Sequence, residues 1–131
     1  MKKITVLLFL LVGMTLQAQK KESVSGLSNQ VVHHVFFYLK NPESIEQKQQ
    51  LKEGLKTLRA IKEVRKLLIG EPASTLKRDV VVSDWHVSEI IYFDDVSAQD
   101  AYQVDPIHQR FVENYSHLWE KVVVYDMLVD E

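Results

Sequence analysis

Two hydrophobic rhythms alternate along the chain. Val31–Lys40 (VVHHVFFYLK) has no Gly or Pro and is apolar at odd and even positions alike, which predicts a strand covered on both faces. One face carries Val31, His33, Val35, Phe37 and Leu39; the other carries Val32, His34, Phe36 and Tyr38. Asn41-Pro42-Glu43-Ser44 then offers capping residues and an early proline for a helix. Ile45, Leu51, Leu55, Leu58 and Ile61 form its buried stripe among Gln, Lys and Glu. Gly54 inside this helix costs about 1 kcal/mol relative to Ala, which points to a close approach by another element. Val64–Ile69 predicts a second strand, ended by Gly70. The polar connection Glu71–Asp84 contains Val80-Val81-Val82, which can pair briefly at a sheet edge. Trp85–Phe93 predicts a third strand, with His86, Ser88, Ile90 and Tyr92 on one face and Trp85, Val87, Glu89, Ile91 and Phe93 on the other. A short helix over Ser97–Val104 is followed by a restart at Asp105-Pro106, carrying Ile107, Phe111, Tyr115 and Leu118. Lys121–Val129 predicts the last strand, with Val122, Val124 and Asp126 on one face.

The order β-α-β-β-α-β, with the second helix broken, predicts an α+β, ferredoxin-like antiparallel sheet with both helices on one face. The strands are apolar on two faces, so the uncovered face would expose Val32, Phe36, Val87, Ile91, Val123 and Tyr125 as one patch. A homodimer packing sheet against sheet is the expected solution.

Residues before Val31 follow a different logic. Met1-Lys2-Lys3, the apolar run from Ile4 to Val12, and the small Ala18 have the layout of a signal peptide over residues 1–18, cleaved after Ala18. The run is short of the ~20 apolar residues of a membrane span, and no Cys follows it to carry a lipid. The expectation is an exported protein, periplasmic or secreted, with no stable membrane anchor. An amphipathic or buried first helix is the other reading. Residues 19–30 are polar apart from Val24 and Leu27 and read as a flexible leader to a single domain over residues 31–129.

Composition removes several functions. The formal net charge is −2 and no basic run exceeds Lys62–Lys66, which argues against nucleic acid. The chain has no Cys, so zinc-finger and thiol-redox chemistry are excluded. No Gly-rich phosphate loop, serine nucleophile elbow or catalytic carboxylate pair is visible, and no cofactor is expected.

Histidine carries the candidate chemistry. His33 and His86 are placed on strand faces with Val35, Phe37, Ile90 and Val124, taken as the face turned to the helices. A histidine there can act as a general base, or can sit in the core hydrogen-bonded to backbone or to Asp126. His108 lies one turn into the restarted helix, where it can face the mouth of a pocket, or pack on Phe111 or the first strand. Tyr102 can donate to a developing oxyanion beside it. Phe37, Ser88, Ile90, Trp119, Val122, Val124 and Asp126 are the expected pocket walls. His34 is placed at the dimer interface and His117 towards solvent. Three histidines with Asp126 lack any metal-ligand spacing, so no metal is expected.

Four segments in order resemble the stress-responsive dimeric α/β-barrel (Dabb) family: His33-His34-Val35-Phe36-Phe37; Asp94 after Tyr92-Phe93; Tyr102 through Phe111 (YQVDPIHQRF); and Leu118 through Asp126 (LWEKVVVYD). Many members have His where this chain has Asp105. The resemblance implies a dimeric barrel built from two ferredoxin-like sheets. It extends to the plant olivetolic acid cyclases, which carry out cofactor-free aldol cyclisation. Their catalytic histidine matches His108, a tyrosine six residues earlier matches Tyr102, and their first- and third-strand histidines match His33 and His86. A tyrosine of that branch's first helix falls at Leu55 here. Two functions are therefore expected as alternatives: a small-molecule binding or stress-related homodimer without turnover, or a cofactor-independent enzyme, cyclase- or lyase-like, using His108 as base on a small apolar carbonyl compound.

Overall fold

The computed structural model describes residues 29–130. The expected signal peptide over residues 1–18 and all but the last two residues of the leader lie outside the described residues.

Strand β1 (Val31–Leu39) leads into helix α1 (Ile45–Thr57), which Ser44 caps by accepting from the Gln47 N–H, and the helix tightens into a 3₁₀ turn at Leu58–Ala60. Strands β2 (Lys66–Gly70) and β3 (Val87–Phe93) follow. Helix α2 (Val96–Val104) is capped by Asp95. Asp105 ends α2 and starts α3 (Pro106–Tyr115), its carboxylate accepting from the Ile107 N–H at 2.7 Å. The expected break is thus a shared cap: one short acid closes one helix and opens the next, and Pro106 follows where no N–H is needed. A 3₁₀ turn at Ser116–Leu118 joins β4 (Trp119–Leu128).

The sheet order is β2-β3-β1-β4, all antiparallel. This is the ferredoxin-like arrangement, with both helical segments on one face. The core joins Val31, Val35, Phe37 and Leu39 of β1 to Leu51 and Leu55 of α1, Tyr102 of α2 and Phe111 of α3.

The register corrects the faces of β3. His33 pairs with Ile91, Val35 with Glu89 and Phe37 with Val87, so the odd positions of β3 lie under the helices. Val87 and Ile91, expected in the uncovered patch, are completely buried there. Ser88 and Ile90, expected as pocket walls, lie on the opposite face, where Ser88 pairs with Phe36 and Ile90 with His34. A strand apolar on both faces carries no parity signal, so nothing local opposed placing His86 and Ile90 under the helices. The uncovered face is formed instead by Val32, His34, Phe36, Ile90, Tyr92, Val123, Tyr125 and Leu68.

Three smaller differences follow from context. Val80-Val81-Val82 forms no strand. Its Val82 instead accepts from the Trp85 indole N–H at 3.1 Å, and both side chains rest near Phe36 and Tyr125 on the uncovered face. Ile45, expected in the buried stripe, is 79% exposed because Ser44, not Asn41, caps the helix and leaves Ile45 as its first residue. Gly54 has the close neighbour its position implied: a Cβ there would lie 2.7 Å from the Tyr115 ring of α3. Gly54→Ala gains about 1 kcal/mol of helix propensity but forces Tyr115 off its stack on Phe111, an overpacking of about 1–3 kcal/mol. The expected net result is a melting temperature lowered by a few degrees, readable by circular dichroism.

Candidate functional site

Between the helices and the β1–β4 half of the sheet lies a cavity of about 130 Å³. His33, Val35 and Phe37 come from β1, Glu89 from β3, Trp119, Val122 and Val124 from β4, and Gln103, His108, Phe111 and Val112 from the helices. Helices α1 to α3 cover β1 and β3 but stop short of edge strand β4. Val122 and Val124 are therefore partly exposed and form the lip of the cavity.

His33 is buried at the back. Its Nδ1 lies 2.6 Å from Asp126 Oδ1, its cross-strand partner on β4. A carboxylate can only accept, so Nδ1 carries a proton and Nε2 points away from Asp126. His108 is likewise held at Nδ1: its Nδ1–H donates to the Gln103 carbonyl oxygen at 3.2 Å. Partial burial holds the His108 imidazole below the usual histidine range and His33 adds to this, while Gln103 and Asp105 pull the other way. His108 is thus a neutral base with a free Nε2 near pH 7.

Tyr102 is fully buried and does not line the cavity. Its ring sits between the two histidines, 5.9 Å from His33 and 4.6 Å from His108, with Phe93 at 5.0 Å behind it. Burial, and secondarily Glu89, pushes its phenol well above the usual range. Tyr102 therefore sets the spacing of the two imidazoles and stays protonated.

His86 does not join them. It precedes β3 on the uncovered side, where its Nδ1 accepts from the Leu39 N–H at 2.8 Å and its own N–H donates to the Phe37 carbonyl. The ladder between β1 and β4 shifts register at Tyr38/Leu39, and His86 satisfies the backbone donor there. Its role is structural. His34 stacks on Phe36 at 4.0 Å on the uncovered face, and His117 is exposed. Of the expected walls, Phe37, Trp119, Val122 and Val124 line the cavity, and Asp126 orients His33 from behind. Ser88 and Ile90 are elsewhere.

Glu89 is the residue that sequence reasoning missed. It is 2% exposed, and its Oε2 has no hydrogen-bond partner. Burial pushes its carboxyl up to about 8, so it is mostly a neutral acid at pH 7. The available signal was a lone acid in the apolar run Val87–Phe93, with no Lys or Arg opposite it: Glu89 pairs with Val35 and Ile69. Among the described residues no three His, Asp or Glu side chains converge to hold a metal ion.

The profile of the family described as "Stress responsive A/B Barrel Domain" (Dabb) matches residues 31–129. A Dabb family protein with a ferredoxin-like fold from Mesorhizobium loti is 27% identical, with a TM-score of 0.63 over 76% of this chain and 96% of that one. A hydroxynitrile lyase from Passiflora edulis is 20% identical, with a TM-score of 0.63 over 79% of this chain and 95% of that one. A dimeric ferredoxin-like protein of unknown function from Thermobifida fusca is 16% identical, with a TM-score of 0.64 over 78% of this chain and 92% of that one. No curated protein is significantly similar to the chain in sequence.

Proposed function

The chain belongs to the stress-responsive A/B barrel (Dabb) domain family, and on that footing we propose that it is an exported homodimer that binds a small, largely apolar carbonyl compound in the His33–His108 cavity. The observation that carries this reading is a mostly apolar cavity with two imidazole Nε2 atoms left free by fixed Nδ1–H bonds. Its volume suits a single-ring compound, since an apolar cavity of roughly 150 Å³ holds benzene. The dimer rests on the uncovered apolar face and on dimeric structural relatives. Export rests on the Lys2-Lys3, apolar and Ala18 layout; mass spectrometry of the protein from its native host is expected to find it starting near Gln19, and an intact Met1 would refute it.

Binding is tested by ¹⁵N NMR titration with acetophenone and benzaldehyde. The wild type is expected to show shifts confined to the cavity walls. His108→Ala is expected to weaken binding at least tenfold while changing stability by less than about 1 kcal/mol, as for a partly exposed residue. If it mainly lowers the melting temperature, His108 is a packing residue.

A second reading has its own support. His108 is a neutral base of fixed tautomer, Tyr102 a buried positioning group, and one structural relative is a lyase. In this reading Nε2 of His108 removes a proton from the bound carbonyl compound without a cofactor, and deuterium exchange α to the carbonyl of acetophenone would report it. Exchange no faster than in buffer removes this reading and leaves binding intact.

A further inference from the structure

The sheet wall of the cavity carries the carboxyl group of Glu89, which no side chain among the described residues pairs with. Glu89 lies in the middle of the sheet, is nearly inaccessible, and leaves Oε2 unpaired. Buried polar atoms without partners are rare, and each needs an explanation. Among the described residues no cation pairs with Glu89, and its cross-strand neighbours Val35 and Ile69 are apolar. It shares the cavity with His33 and with His108, whose Nδ1–H is held by Gln103 and whose free Nε2 is an acceptor. The neutral imidazole of His108 offers an acceptor and no donor at Nε2, so Glu89 is placed to supply a donor to a bound oxygen.

Resting on the binding proposed above, we propose that Glu89 is a ligand-contacting group, its carboxylic acid O–H donating to the carbonyl oxygen of a small neutral compound. The oxygen lies against Glu89, the apolar body against Phe37, Phe111 and Trp119, and the carbon or hydroxyl bearing an acidic hydrogen towards the histidines. Burial that keeps the carboxyl protonated to about pH 8 makes the donor available at neutral pH. A neutral hydrogen bond of this kind accounts for a roughly threefold to tenfold preference over an oxygen-free isostere.

The test compares acetophenone with isopropenylbenzene, its isostere lacking the oxygen, by NMR titration at pH 6.5 and pH 9. Wild type is expected to prefer acetophenone at pH 6.5 and to lose the preference at pH 9, where Glu89 ionises. Glu89→Leu is expected to bind both alike at both pH values. Glu89→Gln keeps a neutral donor of the same size and is expected to keep the preference at both; this arm holds even if the Leu variant folds poorly. The other titratable groups around the site are His33, Tyr102 and His108, with Asp126 behind His33, and they are unchanged in Glu89→Gln. Equal binding of the two compounds by wild type, or a preference that survives in Glu89→Leu, overturns the assignment and leaves the cavity reading standing. Binding of neither compound overturns both.

Discussion

Glu89→Leu is expected to remove the loss of stability that Glu89 imposes on the fold between about pH 4.5 and pH 8. The sign follows from the shift. The folded carboxyl titrates at about 8 against an unperturbed 4.5. Across that window the folded chain holds a proton that the unfolded chain has released, so stability falls as pH rises. The contribution is fully present below about 4.5 and is lost on passing the folded value of about 8. A shift of this size corresponds to a few kcal/mol. His34 and His108 push the other way: burial lowers both, so the fold disfavours their protonated forms and gains stability as pH rises through their range. The wild-type profile contains both effects, and the difference between wild type and Glu89→Leu isolates the glutamate. The gap between variant and wild-type urea midpoints, measured from pH 4 to pH 9, is expected to be constant below about pH 4.5 and to shift in favour of the variant up to about pH 8. Parallel profiles would mean that Glu89 is hydrated or paired in solution.

Phe36→Asp is expected to convert the proposed dimer to monomer or aggregate. Phe36 lies at the centre of the uncovered face, its ring 4.0 Å from His34, 5.1 Å from Trp85 and 6.0 Å from Tyr125. Around it Leu68, Tyr125 and Met127 are exposed. A patch of this kind on a folded chain is covered by a partner or drives association. A carboxylate buried unpaired in such an interface costs several kcal/mol, enough to shift the dissociation constant by more than two orders of magnitude. Val87 is completely buried, so Val87→Asp would unfold the core beneath the helices, whereas Phe36→Asp spares it. Light scattering with circular dichroism separates the cases. A wild type that remains monomeric at high concentration refutes the dimer itself.

The four strands, the broken second helix and the glycine contact were all legible in the chain. Breaker-free β-branched runs leave little alternative to strand, Asp105-Pro106 admits no continuous helix, and Gly54 marks a place where a side chain does not fit. The histidine pair His33 and His108 was legible through strand alternation in β1 and the position of the helix restart. The parity of β3 was not. Its residues are apolar on both faces, so nothing local opposed the wrong side, which carried His86, Ser88 and Ile90 into the pocket. Tyr102 could be placed beside His108, but not behind it.

What the sequence determines is local: which segments extend, which coil, where each stops, and that the sheet has more apolar surface than its helices cover. What tertiary structure decides is register. Pairing His33 with Ile91 and with Asp126 fixes in one step which side of every strand meets the helices. The side-chain period of a strand is two, so a single-residue choice moves every side chain to the other face. That choice is settled by the packed core as a whole. It buries Val87 and Ile91, and it places the unpaired carboxyl of Glu89 beside two histidines that lie far from it in the chain.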